Sequence, residues 1–367
     1  MATTYRAAII GCGSIGRAHA RGYAGAPRTE LVAVADIHPQ AREEFAAHYP
    51  GVRTYADYRE MLARERPDLV SICLWHPLHA EVTIAAAEAG TPVILCEKPM
   101  AVDLEEADAM IAAARAHGCR LAIAHQRRYL AAWTLAKERI AAGDVGEPLM
   151  LWGGISDGLL NWGTHVIDGM RYVLGEPEPR WVIAQVERKT DRYERGIRIE
   201  DRCMGMVGFA GAVRAVLEME LEDPAPLDGA GGFVVFGSEG TLRLSERRVT
   251  LASARTGNVA TYEPEYVDPH IAQAEGLVDW LEGSAENRCR AELARPTHET
   301  LIAFYESVRQ RGLVTLPIAP GPSPLDDLVE SGRLPVEVPG AYDIRERLLR
   351  PGAEPPRYRP GAVRSRS

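Results

Sequence analysis

Lysine is nearly missing from this chain. Of 42 basic residues among 367, only Lys98, Lys137 and Lys189 are lysine, and the rest are arginine. An amine is a compact donor that can change protonation state, which a guanidinium does not. A lysine retained in such a chain therefore points to a site that needs the amine itself. Paired cysteines are missing too. The cysteines at 12, 73, 96, 119, 203 and 289 stand singly. This excludes C-x-x-C chemistry, argues against a metal site, and suits buried free thiols in a reducing cytoplasm. No apolar run is long enough to span a bilayer, so no membrane partner is expected. The N-terminus runs directly into an apolar strand pattern, and no signal peptide is expected. Positive charge is in deficit: a net charge of −9 argues against nucleic acid as a partner. What remains, 46% hydrophobic and 25% charged, is ordinary for a soluble globular chain long enough for two domains.

Against these absences stands one dense signal. The run Arg6-Ala7-Ala8-Ile9-Ile10 reads as a buried parallel strand, and Gly11, Gly13 and Gly16 follow at G-x-G-x-x-G spacing. Gly11 permits a tight turn, Gly13 lets the backbone approach a pyrophosphate, and Gly16 lets helix and strand pack closely. Ser14 and Ile15 open the helix, whose N-terminus offers free N–H groups to phosphate. A second apolar run, Leu31 to Ala35, ends in Asp36. A carboxylate there can accept the ribose hydroxyls of an adenosine, with Ile37 beside it. Its charge repels the extra phosphate of NADP, so NAD is the expected cofactor. Arg42 is the nearby cation able to offset that repulsion.

Residues 1–125 alternate apolar runs with amphipathic stretches, the pattern of a doubly wound α/β Rossmann domain with a parallel sheet. Further strands are expected at 69–74, 92–96 and 120–124, and helices at 80–89 and 104–117. From 126 to 317 short β-rich runs at 149–152, 181–186, 203–209, 213–219 and 233–236 predict a second α/β domain. Its large open sheet is expected to be mainly antiparallel and to need a cover, which predicts a homodimer or homotetramer. Helices are expected at 162–174, 271–281 and 296–311. Ten of the 25 prolines lie between Pro317 and Pro360, and residues 318–367 read as an extended arm ending in a mobile basic tail.

Ligands bind outside the carboxyl ends of such strands. One end delivers Glu97-Lys98-Pro99, where Pro99 restricts Lys98. An amine beside a nicotinamide can hydrogen-bond a substrate hydroxyl, and Glu97 can pair with it or touch the cofactor. Leu74-Trp75-His76-Pro77-Leu78-His79 is expected to line the cofactor groove, with His79 able to cap the next helix. His76 and His79 lack a third metal ligand. Gln126-Arg127-Arg128-Tyr129 places polar groups where a polyhydroxylated ligand can sit. In Asn161 to Tyr172, a helix puts Asn161, His165, Asp168 and Tyr172 on one face. His165 suits proton transfer, Asp168 can orient it, and Trp162 lies alongside. A solvated face with a structural His–Asp pair is the competing reading.

The order of these parts resembles the Gfo/Idh/MocA (glucose–fructose oxidoreductase / inositol dehydrogenase / rhizopine catabolism) oxidoreductase family. The resemblance is carried by Gly11 to Gly16, Asp36, Pro77-Leu78-His79, Glu97-Lys98-Pro99, Gln126 to Tyr129, Gly163-x-His165-x-x-Asp168 and Phe236 to Leu242, and spans residues 4–317. It implies a nicotinamide-dependent enzyme acting on a sugar, cyclitol or sugar derivative. In that scheme Lys98 assists the reacting hydroxyl and His165 exchanges its proton. Gly11, Gly13, Ser14, Ile15, Gly16, Asp36, Ile37, Leu74, Trp75, His76, His79, Glu97, Lys98 and Gln126 would contact NAD. Asn161, Arg127, Tyr129, Asp168 and Trp162 would contact substrate. Two positions depart from the pattern. Asn161 stands where many members carry Asp, and Leu74-Trp75-His76 replaces Thr-Pro-Asn. The expectation is an NAD-dependent dehydrogenase. The alternatives are a redox-neutral enzyme that recycles bound NAD in glycoside cleavage or epimerisation, and a non-catalytic NAD sensor.

Overall fold

A computed structural model describes residues 3–156, 158–219, 232–350 and 353–358. The tail from 359 onward and Asp157 lie outside the described residues. The N-terminal half alternates β1 (Tyr5–Ile10), α1 (Ser14–Gly25), β2 (Thr29–Ala35), α2 (Pro39–His48), β3 (Arg53–Tyr55), α3 (Tyr58–Glu65), β4 (Leu69–Ile72), α4 (His79–Glu88), β5 (Val93–Cys96), α5 (Leu104–Ala116) and β6 (Arg120–Ile123). The strands form one parallel sheet in the order β3-β2-β1-β4-β5-β6. Near-continuous burial of β1, β4 and β5 on both faces explains their Val, Ile and Ala content. Strand β3 was not anticipated: at three residues, with Arg53 and Thr54 exposed, it has no apolar pattern to find.

Register decides where the site lies. Ile10 pairs with Ala35 and Ile72, Ile72 with Cys96, and Cys96 with Ile123. All five strands therefore end at one level, and the next residues of each emerge on one edge. That edge collects Gly11, Asp36, the 73–76 loop, Glu97-Lys98 and His125-Gln126 from segments far apart in sequence.

The second half begins with α6 (Ala131–Ala141) and β7 (Pro148–Ile155), followed by α7 (Thr164–Val173). Then come β8 (Pro179–Glu187), β9 (Thr190–Glu194), β10 (Ile197–Arg198), β11 (Arg202–Phe209) and β12 (Arg214–Met219). The remaining strands are β13 (Phe233–Gly237), β14 (Gly240–Leu244), β15 (Val249–Ser253) and β16 (Asn258–Tyr262). Helices α8 (Pro269–Glu282) and α9 (Ala291–Gln310) precede β17 (Val314–Thr315). A nine-stranded sheet runs β16-β15-β14-β13-β7-β12-β11-β8-β17, antiparallel except for the parallel β7–β12 pair. Helices α7 and α9 cover one face. The other presents Met150, Ile183 and Met204, all exposed. Helix α8 returns to the first half and packs on α1. It is capped by Asp268 before Pro269 and ended by Gly283 in the left-handed region.

The C-terminal arm packs on its own chain. Helix α10 (Pro324–Glu330) leads to β18 (Val338–Asp343), which joins β9 in parallel. Beyond it, Arg345 reaches Glu194 at 2.9 Å and Arg350 reaches Glu44 at 2.8 Å. The Tyr358 hydroxyl donates to Asp103 at the start of α5. The arm thus ties β9 to both α2 and α5 of the first half.

Candidate active site

The glycine turn has the shape a dinucleotide needs. Gly11 sits at φ 105°, and a Cβ there would strike the Cys73 carbonyl. A Cβ on Gly16 would strike the Gly11 carbonyl, so helix α1 can lie this close to β1 only with glycine. Nothing lies within 4 Å of a Cβ built on Gly13, which leaves open space over the turn. No side chain caps α1, so its first N–H groups, around Ser14 and Ile15, are available to a pyrophosphate. Asp36 is held by the backbone N–H of Cys12 at 2.8 Å and that of His38 at 2.9 Å. Its oxygens retain lone pairs for ribose hydroxyls, and Ile37 is exposed beside it. Arg42 donates to the Asp36 carbonyl at 2.7 Å rather than to the carboxylate. These residues fit NAD. Replacing Asp36 by alanine is expected to weaken NAD binding at least tenfold and to narrow or invert the preference over NADP. Dissociation constants for both cofactors check this, and unchanged values would contradict the assignment.

Lys98 stands where β5 ends, before a cis Lys98–Pro99 bond. Its Nζ donates to Asn161 Oδ1 at 2.6 Å and to the Asn161 carbonyl at 3.1 Å. Burial pulls the amine down to about 8, against the pull of Glu97 and Glu194 and with that of Arg195 and Arg127. Glu97 does not pair with Nζ. It faces His19 Nε2 at 2.9 Å and accepts the Lys98 backbone N–H at 3.2 Å. Burial pushes its carboxyl up, but His19 and Lys98 outweigh that and hold it at about 2.

His165 faces the same space from α7. The expected helix over 162–174 is two pieces: a wider π turn over Gly158–Gly163, then α7. The added backbone of a π turn changes the facing of its residues, a frequent device at functional sites. Asn161 consequently points to Lys98, while His165 stands against Trp162 with ring centroids 6.1 Å apart. His165 is buried and its Nδ1 has no hydrogen-bond partner. Burial, then Lys98, Arg127 and His125, hold the ring well below its ordinary value, so it is neutral near pH 7. Other buried polar atoms without partners cluster at this edge: His76 Nδ1, Gln126 Oε1 and Trp162 Nε1. Such atoms are costly unless something supplies the missing bonds, and a bound ligand does so. Leu74 and Trp75 are half-buried in the loop before them.

Three expected contacts are corrected. Asp168 does not orient His165 or face the substrate space. Arg128 binds both its oxygens at 2.7 Å, and His125 Nδ1 lies 3.0 Å away. Burial opposes its charge, but Arg128 and His125 override this and hold it far below the carboxylate range. Tyr129 turns under α8, where its hydroxyl accepts from Asn287 at 3.2 Å. His79 is buried, each ring nitrogen facing a carbonyl, of Pro99 at 2.8 Å and Leu74 at 3.0 Å. It locks the two cofactor-side loops together instead of lining the groove. Arg127 is buried, sits 5.6 Å from the centre of the Trp162 ring and pairs with Glu246 at 3.0 Å. Both line a cavity of about 890 Å³ with Glu246, Arg248, Glu263 and Tyr266. Sequence reasoning missed Glu194 and Arg195, which contact Asn161, and Arg345, which contacts Glu194. Nothing in the local sequence links residue 345 to residue 194.

A glycine turn that fits a dinucleotide, an acid after the second strand, and an amine and a neutral imidazole near each other mark a nicotinamide-dependent oxidoreductase acting on hydroxyl groups. The chain belongs to the Gfo/Idh/MocA family. The model of the oxidoreductase family NAD-binding Rossmann fold matches residues 5–125. That of the GFO/IDH/MocA C-terminal domain matches residues 133–243. An inositol 2-dehydrogenase of Ralstonia nicotianae is 37% identical over 309 residues, 77% of this chain and 87% of that one. A levoglucosan dehydrogenase of Pseudarthrobacter phenanthrenivorans is 28% identical over 324 residues, 73% of this chain and 82% of that one. The fold is also that of a levoglucosan dehydrogenase solved with NADH and levoglucosan. That structure has a TM-score of 0.74 and 22% identity over 86% of this chain and all of the other. Among the described residues, no helix is long and apolar enough to cross a membrane.

Proposed function

We propose that the protein oxidises a hydroxyl of a sugar, cyclitol or sugar derivative, with His165 taking the hydroxyl proton and Lys98 polarising the same oxygen. NAD, when bound, supplies the hydride acceptor. The observation that carries the reading is the meeting of an amine held near neutrality with a neutral imidazole whose Nδ1 lacks a partner. A neutral imidazole can accept a proton at once, and an ammonium stabilises the developing alkoxide. Arg127 and Trp162 offer a planar donor and an aromatic face, both suited to polyols. The similarity to inositol and levoglucosan dehydrogenases supports the same substrate class. The test is NADH formation by the purified protein across free sugars, cyclitols, anhydrosugars and glycosides. Accumulation with one ligand class supports the reading. Product formed without NADH would favour redox-neutral cycling instead.

The same reading includes a homo-oligomer built on the uncovered sheet face. Ile183, Met206, Val216 and Trp152 lie in register across β8, β11, β12 and β7, an apolar row flanked by exposed Met204 and Met150. Met204→Lys with Ile183→Lys is expected to shift the sedimentation coefficient to that of a monomer. An unchanged value would remove this face from the interface.

A further inference from the structure

Glu194 is the most completely buried carboxylate near Lys98, and nothing in the reaction as described uses it. It lies at the end of β9 with no exposed surface. Its Oε1 accepts from Asn161 Nδ2 at 2.6 Å and from Arg345 Nε at 2.9 Å, while Oε2 is buried without a partner. Asn161 in turn presents Oδ1 to Lys98 Nζ at 2.6 Å and to Arg195 at 3.1 Å. The four side chains form one line: Lys98, Asn161, Glu194, Arg345. It begins at the amine that follows β5 and ends on the C-terminal arm.

The direction of this line is fixed by chemistry. An asparagine amide can turn either end toward a neighbour. An ionised carboxylate only accepts, so Glu194 compels the NH₂ end of Asn161 to face it. The oxygen then faces the two cations. Were the amide reversed, its NH₂ would meet Lys98 and Arg195, donor against donor. Asn161 cannot carry charge itself, and the negative charge lies one residue further out. We propose that Glu194 is a positioning residue for the reacting amine: it orients Asn161 so that Oδ1 holds Lys98 toward the substrate, and Arg345 of the arm anchors Glu194 in turn. The proposal rests on the reading of Lys98 as the group that polarises the substrate oxygen.

The charges that face this line come from several elements. Arg195 stands beside Glu194 at the β9–β10 turn, and Arg345 comes from the arm. Glu97 adjoins Lys98, and Arg127 acts on it from the loop after β6. Glu200 also feels Glu194. Burial raises the Glu194 carboxyl, whereas Arg195, Arg345 and Lys98 lower it. Negative charge at 194 favours the ammonium form of Lys98, and its removal lowers the midpoint of that amine.

With only three lysines, labelling with lysine carrying ¹³C at Cε gives a spectrum in which Lys98 can be assigned by its loss in Lys98→Ala. The titration of this signal, in the full-length protein without substrate, reads the proposal directly. Glu194→Gln is expected to lower the Lys98 midpoint by about one unit, the scale of one close charge. Arg345→Gln, a change on the peripheral arm, is expected to move it upward, because Glu194 loses a competing cation. Asn161→Asp combined with Glu194→Gln brings a carboxylate directly onto the amine and is expected to return the midpoint to at least its original value. A midpoint unmoved in both folded single variants would overturn the proposal. This result does not depend on turnover, so it is separable from failure of the dehydrogenase reading, which the substrate panel detects.

Discussion

Lys98→Ala is expected to lower kcat by about 10²- to 10⁴-fold, the range that a positioned proton-handling group contributes. The Michaelis constant and the affinity for NAD should change far less if, as proposed, Gly11 to Gly16 and Asp36 grip the cofactor. The reason is local. Burial holds the amine at about 8, so it donates as an ammonium near neutrality yet remains able to exchange a proton. Lys98→Arg should not restore turnover. A guanidinium is larger, stays protonated throughout, and would meet Asn161 and Arg195 in a space shaped for a compact head. Steady-state kinetics with matched circular dichroism spectra check this. A Lys98→Ala variant with full turnover would remove the lysine from the chemistry.

Arg128→Ala is expected to cost stability, not specificity. The side chain is 1% exposed and binds Asp168 through two nitrogens, Glu176 at 2.6 Å and the Arg288 carbonyl at 2.7 Å. Its loss strands the Asp168 carboxylate, also 1% exposed, with His125 as its remaining close partner. Leaving one member of a buried pair uncompensated costs about 3–5 kcal/mol. Denaturant unfolding measures that loss. A cost below about 0.5 kcal/mol, typical of a featureless surface site, together with a raised Michaelis constant, would return Asp168 to the substrate.

The Rossmann half was legible because its signals are local. Buried strands read as apolar runs, and Gly11, Gly13, Gly16 and Asp36 sit at spacings fixed by one strand–turn–helix unit. Lys98 was legible through scarcity, since a chain that otherwise writes arginine leaves its exceptions visible. The site on the other side of the groove was read less well, for a geometric reason. An unbroken helix from residue 162 gives Asn161, His165 and Asp168 one face, but the π turn at Gly158–Gly163 alters the facing at Asn161. Asp168 is then claimed by Arg128, a residue forty positions earlier whose partner no periodicity announces. The ties of the arm to Glu194, Glu44 and Asp103 are longer still in sequence. Proline content indicates an extended path there but not what the path crosses.

The most direct test of net hydride removal uses the substrate found by the panel, deuterated at its ring carbons, with the enzyme and unlabelled NAD. The dehydrogenase account predicts that deuterium appears in NADH, in amounts equal to the ketone formed and growing with time. Turnover to product with no accumulating deuterated NADH would contradict it, because the hydride would then have been returned to the sugar.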